Sequence, residues 1–240
     1  MLTPVECIAL RTVRLTDSKN LLSVWSREAG RLTFAIPAGS SREARRRRAI
    51  TAPLGTFCGV SDIRPDREIL SVRDIMPLPG SPAMNPSPAQ GMSAMFLAEV
   101  LDLLLRRQEP DDRLSDFLFR SMDILSAATG AAAANFHIVF MYTFAHYAGI
   151  APDAGDYRRN AVFDMREGRF RLSAPLHDDH LEGDEARMMM LISRTTLARA
   201  GRLPLTRATR NRALDLILRY FSLHLAPLNS LKSPEILRML

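Results

Sequence analysis

The sequence predicts an α+β chain of two domains: a five-stranded β-barrel first, then an α-helical domain with a small hairpin insertion. Three observations carry this. Short segments of strand character fill residues 1–76, seven prolines and glycines punctuate 77–91, and helical apolar spacing runs through 92–240. The chain has 240 residues with 47% hydrophobic side chains, enough for two domains with real cores.

The strands are expected at Ile8–Arg14, Leu21–Ser26, Gly30–Ile36, Phe57–Ile63 and Ile69–Ile75. The cleanest is the third, where Leu32, Phe34 and Ile36 alternate with Arg31, Thr33 and Ala35. Thr16 to Asn20 is a polar turn, and Glu28-Ala29-Gly30 a tight one. Pro77, Pro79, Gly80, Pro82, Pro86 and Pro88 mark a linker or extended crossing segment, and the domain boundary is placed there. Helices follow over Met92–Gln108, then from Asp111 or Asp112 as cap with Leu114, Phe117, Leu118, Met122 and Leu125 on one face. Another spans about Ala132–Tyr147 and is stopped by Gly149 and Pro152.

From Ile124 to Pro152 there is no Asp, Glu, Lys or Arg. Gly130, Asn135, His137, His146 and a four-alanine run favour a buried central helix over a membrane span. Residues 153–181 are irregular, with a hairpin in which Val162-Phe163-Asp164 and Arg169-Phe170-Arg171 flank Arg166-Glu167-Gly168. Helices are expected at Glu185–Ala200 and about Thr206–Leu223, and Pro234 opens a last short one.

The net charge is +6, unevenly spread. Residues 1–80 hold 13 Arg and Lys against 8 Asp and Glu, and the remainder 19 against 18. A basic barrel concentrates phosphate backbones. The sharpest charged motif is Arg42-Glu43-Ala44-Arg45-Arg46-Arg47-Arg48, read as a mobile loop between barrel strands whose guanidiniums follow a phosphate backbone. Lys19, Arg31 and Arg73 are secondary contacts, and Trp25 and Phe57 stack on bases only if they face outward.

Other chemistries are poorly served. There is no Gly-x-Ser-x-Gly elbow, no phosphate loop and no Gly-x-Gly-x-x-Gly. His177-x-x-His180, with Asp178 and Asp179 between, is an incomplete ligand set; a metal-dependent hydrolase built on it is the weakest reading. His137 and His146 read as core histidines. Cys7 and Cys58 stand far apart inside strand patterns, fitting a reducing compartment rather than a disulfide framework. Glu6, Arg11 and Arg14 leave no evident signal peptide.

Ile8 to Val24 followed by Gly30-Arg31-Leu32 resembles the opening of the bacterial RecO family of DNA repair and recombination mediators. Tyr220 to Leu225 followed by Leu231 to Leu237 resembles its C-terminal signature, and Phe136 to Pro152 its central helix with the closing Gly-x-x-Pro. The resemblance spans nearly the whole chain in the right order. It implies an N-terminal OB-fold and a helical C-terminal domain. It also implies binding of single- and double-stranded DNA, strand annealing, and recombinase loading onto strands coated by single-strand-binding protein, without enzymatic activity. Implied partners are RecR and the acidic-hydrophobic tail of single-strand-binding protein; the implied location is cytoplasmic and nucleoid-associated, with no membrane partner. Many relatives carry a four-cysteine zinc module after the Gly-x-x-Pro. Tyr157–Leu181 has no cysteine, so no metal or other cofactor is expected, and Phe163 and Phe170 are expected to fill that space by packing. The reading kept beside this one is an RNA-binding or scaffold protein with a barrel and a helical adaptor.

Overall fold

The structure is a computed structural model that describes residues 2–64, 66–79, 86–106, 108–225, 227–228 and 230–240. It forms two compact units, Met1–Ala127 and Ala128–Leu240. Among the described residues of the first, five strands close into a barrel: β1 (Leu2–Arg14), β2 (Lys19–Ser26), β3 (Gly30–Pro37), β4 (Thr56–Asp62) and β5 (Leu70–Pro77), in the order β1-β2-β3-β5-β4. Closure depends on β1, which pairs with β4 over Leu2–Ile8 and with β2 over Cys7–Arg14. A bulge between Ala9 and Arg11 bends it from one partner to the other. This is the five-stranded arrangement of an OB-fold.

The core follows from the period-2 pattern. Val5, Cys7 and Ala9 of β1, Leu22 and Val24 of β2, Phe34 and Ile36 of β3, with Phe57 and Leu70, fill the interior. The opposite face is not all solvent. Ile8, Leu10 and Trp25 are buried too, because α2 (Pro88–Leu104) and α3 (Asp112–Ala127) belong to the same unit; α2 packs on β1, and Trp25 Nε1 donates to Ser115 Oγ of α3 at 3.0 Å. The proline-rich stretch therefore separates strands from helices along the chain, while the compact units divide after α3; Gly80 and Pro82 lie outside the described residues. Ser87 and Gln90 form a capping box at the start of α2, and Asp111 accepts from the Leu114 amide at 2.6 Å to open α3.

The second unit is built around α4 (Gly130–Tyr147), buried over most of its circumference. No helix among the described residues is long and apolar enough to cross a membrane. The hairpin strands are β6 (Val162–Asp164) and β7 (Arg169–Arg171), and β8 (His180–Leu181) adds to the far side of β6. Phe163 and Phe170 pack with tilted rings at 5.0 Å between centroids, with Tyr157 edge-on to Phe170 at 5.1 Å and Tyr220 at 6.1 Å from Phe163. This aromatic cluster occupies the cysteine-free region. The helix expected over Glu185–Ala200 is in fact two elements. α5 (Gly183–Ser193) ends where Thr195 Oγ1 turns back to the Leu191 carbonyl, Thr196 is extended, and a 3-10 helix (Leu197–Arg202) follows. Thr206 caps α6 (Arg207–His224), and α7 (Ser233–Leu237) carries Pro234 in its first turn.

Candidate nucleic-acid interface

The arginine run is a helix, not a mobile loop. Ser41 Oγ accepts from the Ala44 amide at 3.1 Å and starts α1 (Arg42–Ile50), between β3 and β4. Glu43 in the first turn and Arg47 and Arg48 in the last complement the helix dipole. Ala44 is buried and defines the inner face. Beside it, Arg47 Nη1 donates to the Pro37 carbonyl at 3.0 Å, and Arg48 Nη1 to the Gly39 carbonyl. These two arginines seat the helix on the end of β3.

At 3.6 residues per turn, Arg42, Arg45 and Arg46 share the face opposite Ala44. All three are exposed. Arg42 and Arg45 have no side-chain partner among the described residues; Arg46 touches Glu43 at 3.9 Å and Met76 Sδ at 3.2 Å. Lys19 is exposed near the start of the segment that leads into α1: it stands opposite Pro37 in the β2–β3 register, and the neighbouring Ser18 carbonyl accepts from the Ala38 amide. Arg73 is exposed on β5 opposite Val60.

The other proposed contacts are used up by the fold. The Arg31 guanidinium is bonded to Asp102 of α2, and burial lowers its pKa against the support of that carboxylate. Arg11 and Arg106 approach the same carboxylate at 3.7 and 3.9 Å. Trp25 and Phe57 are fully buried, Trp25 against α3 and Phe57 in the barrel, so neither stacks on a base. Exposed arginines outside the expected set also flank the barrel connections, among them Arg64, paired with Asp62. Arg14 stands at the tip of the β1–β2 hairpin, bonded to Asp17, and Arg67 in the β4–β5 loop has no side-chain partner. Those two connections are the ones oligonucleotides meet on an OB barrel. In sequence Arg67 is hidden by Asp66 and Glu68, which cancel its charge.

The histidine pair does not converge on one point. His177 Nε2 lies 3.4 Å from Asp164, His180 Nε2 lies 3.4 Å from Glu182, and no group of three metal-type ligands occurs among the described residues. His137 is a core residue, pushed down to about 3 by burial with help from the Arg210 cation, whereas His146 is exposed at the helix end. Around the hairpin the carboxylates meet arginines instead. Arg166 Nε donates to Asp179 at 2.7 Å and Arg219 Nε at 3.0 Å; Arg171 and Arg169 hold Glu167.

Arg166 and then Arg219 keep the Asp179 carboxyl below its ordinary value of 3.8, and Arg171 and Arg169 do the same for Glu167. A depressed folded-state pKa stabilises above the unfolded value and the contribution is lost as pH falls through the folded one. Protection against amide exchange across β6–β8, taken relative to the intrinsic rate at each pH, is therefore expected to fall below about pH 4, and Asp179→Asn should show the lower protection already at neutral pH.

Comparison with known proteins agrees with this architecture. The family described as "Recombination protein O C terminal" matches residues 88–234. The DNA repair protein RecO of Porphyromonas gingivalis strain W83 is 30% identical over 244 aligned residues, covering 100% of this chain and 99% of the relative. Those of Phocaeicola vulgatus and Bacteroides fragilis strain NCTC 9343 are 29% and 26% identical, also over 100% of this chain and 99% of each relative.

Proposed function

Because the chain belongs to the RecO family of DNA repair proteins, we propose that it binds single-stranded DNA on the barrel and promotes the annealing of complementary strands. The α1 ridge carries this reading: three arginines turned away from the barrel on a helix whose other two arginines hold it in place. Guanidiniums on a fixed helix contact phosphates without reading bases. Neutralised phosphates repel a second strand less, which lowers the barrier to pairing. Arg73, Lys19, Arg14 and Arg67 extend the basic surface to the strands and loops of the barrel. Double-stranded DNA is held by the same phosphate contacts.

In this reading the protein is a mediator rather than an enzyme, working in the cytoplasm at the nucleoid. It assists recombinase loading onto strands coated by single-strand-binding protein, with RecR and the acidic-hydrophobic tail of that coat protein as partners. Family membership supports these roles.

The test is an oligonucleotide titration at several salt concentrations. Changing Arg42, Arg45 and Arg46 together to Ala is expected to weaken single-strand binding about 10- to 100-fold and make its logarithmic salt dependence shallower by about 2, from three lost phosphate contacts at about 0.7 each. Unchanged affinity and slope would sink the assignment. Arg47 and Arg48 are poor test positions, because their loss unseats the helix.

A further inference from the structure

Outside the barrel, the longest acid-free basic stretch is 186–214, which holds seven arginines and no Asp, Glu or Lys. The near-neutral balance of residues 81–240 conceals it. The structure sorts the seven. Arg212 is paired with Glu185, Arg207 donates to the Arg238 carbonyl, and Arg210 is buried near His137. Arg187, Arg194, Arg199 and Arg202 are exposed and have no side-chain partner among the described residues.

Arg194, Arg199 and Arg202 follow one another along the end of α5 and the 3-10 helix. At three residues per turn Arg199 and Arg202 lie on the same edge. The position of this edge is fixed: Asn135 Nδ2 of α4 donates to the Ala200 and Leu203 carbonyls at 3.1 and 3.2 Å, and Gly201 sits against the Ala132 backbone. The element beneath is thus α4, which carries no carboxylate to neutralise these guanidiniums. Its own first turn adds to the positive field, since Thr129 makes no side-chain cap bond there.

We propose that Arg194, Arg199 and Arg202 form a second nucleic-acid site, which holds the phosphate backbone of the incoming strand while the barrel holds the first. This rests on the reading of the chain as a strand-annealing protein. Annealing requires two strands on one protein or on two in contact, and a basic edge with no neutralising acid attracts the second. The chemistry favours a phosphate backbone over an acidic peptide. No large apolar side chain between 177 and 222 is strongly exposed, so the edge offers charge without an apolar anchor.

The full chain is compared with the Arg194→Ala, Arg199→Ala, Arg202→Ala triple variant and with the α1 triple variant. Donor- and acceptor-labelled complementary oligonucleotides report first-strand binding, second-strand capture and annealing, and thermal melting confirms that the variants fold. The 3-10-helix variant is expected to hold the first strand within about threefold. Second-strand capture and annealing should fall about tenfold or more, with a salt slope shallower by about 2. Normal second-strand capture and annealing in this variant, beside a defective α1 variant, overturns the inference and leaves the barrel assignment standing. Normal DNA capture with lost binding of a synthetic peptide of alternating Asp and apolar residues also overturns it, and assigns the edge to a protein partner. Undiminished first-strand binding in the α1 variant counts against the barrel reading instead.

Discussion

Gly55→Ala is expected to destabilise the barrel by about 3 kcal/mol, at the upper end of overpacking costs, and to displace α1. A Cβ on Gly55 would stand 2.2 Å from the Ile50 carbonyl oxygen and 3.0 Å from that of Ala52. Both obstacles are backbone, so no side-chain rotation relieves them. The segment is also pinned. The Gly55 amide donates to Ala52 at 2.7 Å, its carbonyl accepts from Ala9 at 2.9 Å, and Leu54 donates back to Ala9 at 2.8 Å. Thr51 ends the helix by donating both its amide and its hydroxyl to the Arg47 carbonyl. A clash here therefore pushes on the last turn of α1 and on the β1 bulge together. Thermal melting followed by Trp25 fluorescence measures the first effect, and single-strand affinity of the remaining folded protein the second. Gly91→Ala is the control: nothing lies within 4 Å of its added Cβ in α2, and a stability change of about 0.5–1 kcal/mol in the favourable direction is expected. A Gly55→Ala protein as stable as the parent would contradict this account of how α1 is placed.

The second large effect is at Asp102. Its side chain is 6% exposed and that of Arg31 15%, so removal of the carboxylate strands a guanidinium away from water, with Arg11 and Arg106 close by. Asp102→Ala is expected to cost about 3–5 kcal/mol by denaturant unfolding, the usual penalty for orphaning one member of a buried pair. Pairing Asp102→Leu with Arg31→Met should recover most of that, because it removes both buried charges. The double variant should also bind single-stranded DNA with the parent's affinity, since Arg31 serves α2 rather than phosphate. A strong loss of DNA affinity in a stably folded double variant would return Arg31 to the interface.

Much of the barrel is legible because its signal is local. Alternation at Leu32, Phe34 and Ile36 and the polar turn at Thr16–Asn20 depend on neighbours in the chain, and the observed strands fall within a few residues of those expected. The longest discrepancy is at β1, which begins at Leu2. Its first half alternates less cleanly because it is read by a different partner, β4, from the second half. The arginine run misled for a different reason. Charge dominates its composition, so it has no apolar face to announce a helix; the Ser41 cap and the single buried Ala44 are weak signals. The break inside 185–200 is set by two threonines and the approach of α4, and apolar spacing alone runs straight through it.

Sequence alone determined the five strands and their order, most of the helices that follow them, the charge-free buried helix, the basic character of the barrel and the family. Each is written in residues close together or in a count. Tertiary structure decided which charges are free. Arg31 meets Asp102 across 71 residues, Trp25 meets Ser115 across 90, and Asn135 holds the 3-10 helix across 65. A cation's availability to phosphate depends on whether a carboxylate, a carbonyl or water faces it, and that is set only when distant segments pack. The same physics separates the arginines that seat α1 from those it presents, though they are adjacent in the chain.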